Sequence, residues 1–254
     1  MNIKTLLLAA CLTLSFTATG PAGAAETETP LDRAPINAHD VASLQRGART
    51  FVNYCLNCHS ANYMRYNRLH DIGLTDAQIR DNLIFGDGKV GDLMKIAMEP
   101  KDAKQWFGVA PPDLTVIARS RASHAGSGAD WLYTYLRGFY RDPSRPTGWN
   151  NTVFPNVGMP HVLYQLQGVQ ALKEVQEPGP GYTRTVHKLV LDRPGSMTPI
   201  EYDRMVADLV NYMAYMSEPA ANTRVTLGLY VLLALSVLFV LAYMLKKEFW
   251  KDVH

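Results

Sequence analysis

The chain has 254 residues, of which 47% are hydrophobic and 19% are charged, and its formal net charge is +2. That length can bury a sizeable core in one large domain or two small ones, and the near balance of charge gives no indication of a nucleic-acid partner. The chain has two strongly apolar stretches, one near each end, and the region between them has an ordinary globular composition.

The first apolar stretch predicts a secretory signal peptide over residues 1–24. Lys4 supplies a positive charge, residues 6–16 form an apolar segment of the expected length, and the small residues 22–24 form a cleavage site. An uncleaved anchor is the alternative, and the short apolar segment disfavours it. We therefore expect residues 25–222 to be an exported domain, which begins with a leader of little structure.

Four segments of this domain are predicted to be helical. Asp40 is an expected N-cap before an apolar face that leads to residue 54. Thr75 and Thr198 each stand three residues before a Gln or Glu, which is the spacing of a capping box. The predicted helices are residues 40–54, 75–85, 130–136 and 198–216.

The segments between these helices are predicted to be loops and one small sheet. Prolines make residues 86–113 and 141–162 irregular, and a long loop inside a compact domain is usually functional. A Glu-Pro-Gly-Pro-Gly turn cluster at 177–181 lies between two apolar stretches. Residues 163–192 are therefore expected to contain a small β-hairpin insertion.

The second apolar stretch predicts a transmembrane helix over residues 223–246. No charged residue occurs in the 21 positions from Val225 to Leu245, and a helix of that length covers the hydrocarbon core of about 30 Å. A buried helix in a soluble core is the alternative, but such helices rarely run this far. We expect this helix to anchor the chain in a lipid bilayer.

The residues after the anchor predict its orientation. Residues 247–254 and the end of the anchor carry three lysines, and positively charged tails stay on the cytoplasmic side. With the signal peptide exporting the other end, residues 25–222 are expected in the periplasm. The prediction is a single-pass protein of the bacterial inner membrane with a cytoplasmic C-terminus.

The strongest chemical signal is the pentad Cys-Leu-Asn-Cys-His at residues 55–59. The thiols of Cys55 and Cys58 can each add to one vinyl group of a haem, which holds His59 beneath the iron as an axial ligand. A zinc site would need two further ligands, and a thioredoxin-type disulfide expects a helix that starts, not ends, at the first cysteine. The pattern predicts one covalent haem c and one-electron transfer.

The second axial ligand is expected to be a methionine, whose thioether stabilises ferrous iron. Met159 is the leading candidate, because Gly158 lets the backbone approach the macrocycle and Pro160 stiffens the loop. His161 is the rival and would give a bis-histidine haem. The other methionine candidates, all before the predicted anchor, are Met64, Met94, Met98, Met197, Met205, Met213 and Met216, of which the last three lie on a predicted core face.

A proline-rich segment adds further candidate haem contacts. Pro111 and Pro112 fix an extended segment that could wall a flat cofactor. Arg119 and Arg121 follow, and a guanidinium can pair with a haem propionate in bidentate fashion. The alternative is that both arginines are solvated at the surface.

Together these motifs resemble the cytochrome c1 family, the haem subunits of the ubiquinol–cytochrome c reductase, or cytochrome bc1 complex. The likeness covers nearly the whole mature chain. It is carried by the pentad with Ser60, Tyr-Asn-Arg-Leu at 66–69, Pro-Pro-Asp-Leu at 111–114, Gly-Met-Pro at 158–160 and the C-terminal anchor with its basic tail.

The resemblance implies a fold and a set of site residues. The fold would be mainly α, an elaborated class I cytochrome c fold with loop and small β-hairpin insertions, plus one C-terminal transmembrane helix. Its first and last haem-domain helices would cross beside the haem. His59 and Met159 would be the axial ligands, and Arg121, rather than Arg119, would bind a propionate.

The resemblance also implies partners. The haem would take one electron from the Rieske iron–sulfur protein and pass it to a soluble or tethered periplasmic cytochrome c. Cytochrome b would be a neighbour within a dimeric complex. The chain departs from many members of the family in having no acidic run for docking a basic cytochrome c.

Two other functions remain as alternatives. A free-standing, membrane-tethered cytochrome c carrier would have the same motif, but many such proteins are anchored at the N-terminus and have smaller haem domains. A c-type peroxidase would need an open axial position and usually carries two haem motifs, whereas this chain has one.

Overall fold

Helices dominate the computed structural model, which describes residues 30–179 and 182–252. The predicted signal peptide lies outside these residues. The helices are α1 Val41–Tyr54, α2 Asp76–Leu83, α3 Pro100–Phe107, α4 Ile117–Ser120, α5 Gly128–Arg137, α6 Tyr164–Gln167, α7 Pro199–Ser217 and α8 Ala221–Phe249, with a 3-10 helix at Tyr66–Ile72.

The strands form three two-stranded antiparallel sheets within the described ranges. They are β1 Ala61–Arg65 with β2 Leu93–Met94, β3 Phe139–Arg141 with β4 Trp149–Asn151, and β5 Gly168–Gly179 with β6 Tyr182–Pro194. The architecture is mainly α with small sheets, as predicted.

Three of the four predicted helix starts are confirmed by their caps, and the helix predicted from residue 130 begins two residues earlier, at Gly128. The Asp40 carboxylate accepts a hydrogen bond of 2.9 Å from the backbone N–H of Ser43. Thr75 and Thr198 each form a reciprocal capping box with the residue three positions later. Because these side chains satisfy backbone donors that the first helical turn leaves free, each contributes about 1 kcal/mol to its helix.

Helices α1 and α7 cross at a glycine. A Cβ atom on Gly47 would lie 2.1 Å from the carbonyl oxygen of Asp208, so only glycine allows this approach. Arg46 beside it forms a bidentate ion pair with Asp208, with N–O distances of 2.6 and 3.0 Å. The crossing fixes α1, and therefore the position of the residues that follow its C-terminal end.

The predicted β-hairpin insertion is present, with strands that begin at Gly168 and end at Pro194. β5 and β6 pair from Gly168 and Pro194 outward to Gly179 and Tyr182. The Gln170 amide fixes the base of the hairpin, since its Nε2 donates to the carbonyls of Arg137 and Phe139, both at 2.9 Å. An isolated two-stranded ribbon is marginal in water, so this attachment ties the insertion to the domain.

Two segments predicted to be irregular contain regular structure. Residues 86–113 include β2 and the helix α3, which begins at Pro100. Proline fits the first turn of a helix, where no backbone donor is needed. The prolines of this segment therefore include one that begins a helix, Pro100, as well as others that lie in loops. Residues 141–162 include β4, which pairs with β3.

The C-terminal helix α8 fits the predicted membrane anchor. The most apolar stretch within the 27 residues Thr223–Phe249 has a mean hydropathy of 2.6, and none of that stretch is buried inside the protein. At 1.5 Å per residue this segment extends about 40 Å, longer than the bilayer core of about 30 Å. Among the described residues it is the one helix with these properties.

Candidate haem site

The Cys-x-x-Cys-His motif forms a turn at the end of α1. The backbone N–H groups of Cys58 and His59 donate to the carbonyl of Cys55 at 3.1 and 2.9 Å. Within the described ranges, neither thiol forms a disulfide. Burial raises the pKa of Cys55 to about 12, so this position favours a neutral sulfur over a thiolate. The thioether that joins a cysteine to haem is neutral and has no proton to lose, so it fits this environment.

His59 is oriented through its second ring nitrogen. Nδ1 lies 2.8 Å from the carbonyl oxygen of Pro112. Because a carbonyl can only accept, Nδ1 carries the proton and Nε2 keeps a free lone pair for a metal. Burial lowers the pKa of His59, against the opposing effects of the Pro112 carbonyl and Asp113, which favours the neutral ring that iron requires.

The Pro-Pro-Asp-Leu segment is held against the motif by Asp113. One carboxylate oxygen accepts from the backbone N–H of Asn62 at 2.7 Å, and the other accepts from that of Thr115 at 2.8 Å. The N–H of Leu114 donates to the carbonyl of Ser60 at 2.9 Å. These bonds place the Pro112 carbonyl at His59. An Asp that bonds two residues onward is a recognised turn signal, but the sequence alone did not predict this role for Asp113.

Met159 is partly buried and packs against the core. Its sulfur accepts a hydrogen bond from the hydroxyl of Tyr135, with an Oη–Sδ distance of 3.3 Å. Tyr135 lies on α5, so this hydrogen bond to the Met159 sulfur ties the loop that carries Met159 to a helix. The sequence contained no signal for this contact beyond the aromatic content of the helix.

Two asparagines shape the Met159 loop. Asn151 is 1% exposed; its amide donates to the carbonyl of Tyr135 at 2.8 Å, and its oxygen accepts from the N–H of Val153 at 2.9 Å. Asn150 accepts from the N–H of Asn156 at 2.8 Å. The loop is therefore held by side-chain amides that replace backbone pairing.

Gly158 connects the Met159 loop to the segment that orients His59. A Cβ on Gly158 would lie 2.9 Å from Cγ1 of Val109, three residues before Pro112. The Met159 loop therefore approaches the protein chain closely at Gly158. This approach joins the segments next to the two predicted axial ligands, although 100 residues separate His59 from Met159.

Arg121 lies in the same neighbourhood. Its guanidinium carbon is 4.6 Å from the centroid of the Trp131 ring and 5.7 Å from that of Phe154. Trp131 in turn stacks on Tyr135, with centroids 4.7 Å apart and planes at 14°. Arg121 is partly buried whereas Arg119 is exposed, which is consistent with the choice of Arg121 for a propionate.

His161, the rival axial ligand, is enclosed by aromatic rings. It is 3% exposed, stacks on Phe139 at 4.8 Å and 4°, and meets Trp149 edge to face at 5.1 Å. Burial lowers the pKa of His161 to about 4, against the opposing effect of the Gln167 side chain. The ring is therefore a neutral packing element that anchors the loop two residues beyond Met159.

Replacing His161 by Phe is expected to leave the methionine–iron charge-transfer band in place. A phenyl ring can occupy the same stack, and the change removes a buried ring nitrogen that has no hydrogen-bond partner among the described residues. The unfolding free energy should change by less than about 1.5 kcal/mol. Near-infrared spectra and thermal unfolding measure both quantities. If the unaltered protein lacks the band and the variant changes the low-spin spectrum, the imidazole is itself the ligand.

Comparison with known proteins identifies the family. Residues 32–170 and 195–253 match the model of the Cytochrome C1 family. The chain belongs to the cytochrome c1 family. It is 50% identical to cytochrome c1 of Allochromatium vinosum over 99% of this chain and 100% of that one. It is also 54% identical to a Nitrosomonas europaea protein named ammonia monooxygenase gamma subunit, over 99% of each chain. Its identity to cytochrome c1 of Rhodospirillum rubrum is 27%, over 85% of this chain and 83% of that one.

Membership of the cytochrome c1 family confirms the predicted cofactor and the general role. The protein carries one covalent haem c and is a haem electron-transfer subunit of the bc1 complex. The predicted elaborated cytochrome c fold is also confirmed. The two matched ranges omit residues 171–194, which form most of the hairpin β5–β6, so this hairpin is an insertion relative to the family model.

Proposed function

We propose that this cytochrome c1 takes single electrons from the Rieske iron–sulfur protein and passes them to a soluble or tethered periplasmic cytochrome c. The observation that carries the proposal is the set of contacts around the site. His59 is oriented by Pro112, Met159 is held by Tyr135, and Gly158 packs on Val109. The two candidate ligands therefore lie on segments that hold each other.

Each site residue has a proposed role. Cys55 and Cys58 would attach the cofactor, and His59 and Met159 would bind its iron. Bound haem supplies reversible one-electron chemistry. If both of these side chains bind the iron, no site would be left for peroxide, which argues against the peroxidase alternative.

The remaining two candidates act around the cofactor. Arg121 would neutralise a propionate, and its contact with Trp131 would hold the guanidinium in place. Pro112, first selected as a wall for a flat cofactor, would contribute mainly through its carbonyl oxygen, which fixes the tautomer and direction of His59.

We also propose a membrane arrangement. Residues 1–24 would be removed as a signal peptide, residues 25–222 would lie in the periplasm, residues 223–246 would span the inner membrane, and residues 247–254 would remain in the cytoplasm. The exposed apolar surface of α8 supports the span, and the lysines after it support the orientation. Cytochrome b would be a neighbour of α8 in a dimeric complex.

Extraction of membranes with a mild detergent tests the proposed complex. A tag on the haem subunit should recover cytochrome b and the Rieske protein, with one covalent haem per cytochrome c1 chain. Recovery of this chain alone would favour the tethered carrier. Recovery with monooxygenase subunits, as the name of the Nitrosomonas relative would suggest, would show that the chain serves another assembly.

The donor is tested in the same membranes. With the Rieske protein depleted, quinol should no longer reduce this haem, while an artificial reductant should still reduce it fully. Rapid reduction by quinol without the Rieske protein would contradict the proposed donor and leave the haem assignment intact.

A further inference from the structure

We infer that Tyr135 raises the reduction potential of the haem by donating a hydrogen bond to the axial sulfur of Met159. The inference rests on the proposed ligation by Met159 and adds a positioning residue to it. Tyr135 would act through the sulfur and would not touch the iron.

The hydroxyl of Tyr135 can only be the donor in this pair. A thioether has no proton, so the Oη–H donates to Sδ across 3.3 Å. Tyr135 is 8% exposed. A phenol hydroxyl ordinarily has a pKa of about 10, so it carries its proton at neutral pH.

The ring that carries this hydroxyl is fixed on both sides. Trp131 stacks on it at 4.7 Å, and Phe139 meets it edge to face at 5.1 Å. The carbonyl of Tyr135 accepts from the buried Asn151 amide. Because neither ring contact uses the hydroxyl, a phenylalanine at this position would keep the packing and lose only the hydrogen bond.

The direction of the effect follows from electrostatics. A thioether sulfur has two lone pairs, so one can accept the Tyr135 proton while the other remains for iron. The hydrogen bond withdraws electron density from sulfur and directs the positive end of the O–H dipole toward the metal. Both effects destabilise the ferric state, which carries one more positive charge, and a buried site enhances them.

The test is Tyr135→Phe in the holoprotein, with Tyr133→Phe as the matched control. Tyr133 lies on the same helix, but its ring packs under Arg137, with a guanidinium distance of 4.4 Å. In Tyr135→Phe the equilibrium constant for reduction should fall by up to about tenfold, or about 59 mV for one electron. The charge-transfer band should shift and persist, with haem content unchanged, and Tyr133→Phe should resemble the unaltered protein.

The outcomes separate this inference from the ligand assignment. An unchanged potential and band in Tyr135→Phe, or an equal shift in Tyr133→Phe, would overturn the role of the hydroxyl. A Phe variant that fails to retain haem would also overturn it, because the hydroxyl would then be structural. If Met159→Leu retains the band, the proposed ligation itself is wrong.

Discussion

Replacing Met159 by Leu is expected to abolish the methionine–iron charge-transfer band while the haem stays attached through Cys55 and Cys58. Leucine has a similar volume but no donor atom, so the iron loses the soft ligand that favours its ferrous state. The potential should fall by on the order of 100–200 mV, within the range of about 0.8 V that axial ligands cover. Near-infrared spectra and a spectroelectrochemical titration measure these changes.

The same substitution should also lower stability. Leucine cannot accept the hydrogen bond from Tyr135, whose hydroxyl would remain buried without its sulfur acceptor. An orphaned buried hydroxyl costs about 1–3 kcal/mol, and chemical unfolding of the ferric protein measures this loss. The double variant with Tyr135→Phe should recover part of it, because no hydroxyl is then left unpaired.

Met213→Leu is the matched control for this prediction. Met213 is 3% exposed in the core face of α7, so the swap conserves volume in a buried site and should cost less than about 1.5 kcal/mol. Its band and potential should not change. If Met159→Leu keeps the band, another methionine binds the iron. If the unaltered protein has no such band, His161 is the first alternative ligand to test.

The parts of the site that the sequence predicted are those encoded locally. Haem attachment needs two thiols and a histidine within five residues, so Cys55, Cys58 and His59 can be recognised without a fold. Gly158 and Pro160 mark an unusual loop around Met159. Asp40, Thr75 and Thr198 predicted helix starts for the same reason, since a cap and its acceptor lie within one turn.

The parts that the sequence did not predict depend on contacts between distant segments. The hydrogen bond from Tyr135 to Met159 joins a helix to a loop 24 residues later, and no local pattern distinguishes Tyr135 from Tyr133. The requirement for glycine at Gly47 exists only where α7 crosses α1. Gly158 was singled out for approach to the macrocycle, and its close approach to Val109 is a further contact between distant segments that the sequence did not predict.

A chain stopped after Arg224 is expected to be exported, to receive haem and to be soluble without detergent. The buried hydrophobic core lies between Ala34 and Met216, and α8 is not buried in it. Arg224 keeps its ion pair with Glu218, so the end of α7 should stay ordered. The low-spin spectrum should match that of the full protein, and the protein should move almost wholly from the membrane fraction to the soluble one.

A chain stopped after Ser196 is the contrasting control, because it removes α7 as well. Helix α7 supplies fully buried residues such as Val206, Leu209 and Val210, and it crosses α1 at Gly47, next to the segment that carries the cysteines. Without it the haem domain should not fold or retain haem. If the Arg224 truncation behaves like this control, then α8 belongs to the folded domain and is more than an anchor. If that truncation stays in the membrane fraction, a second element holds the domain to the bilayer.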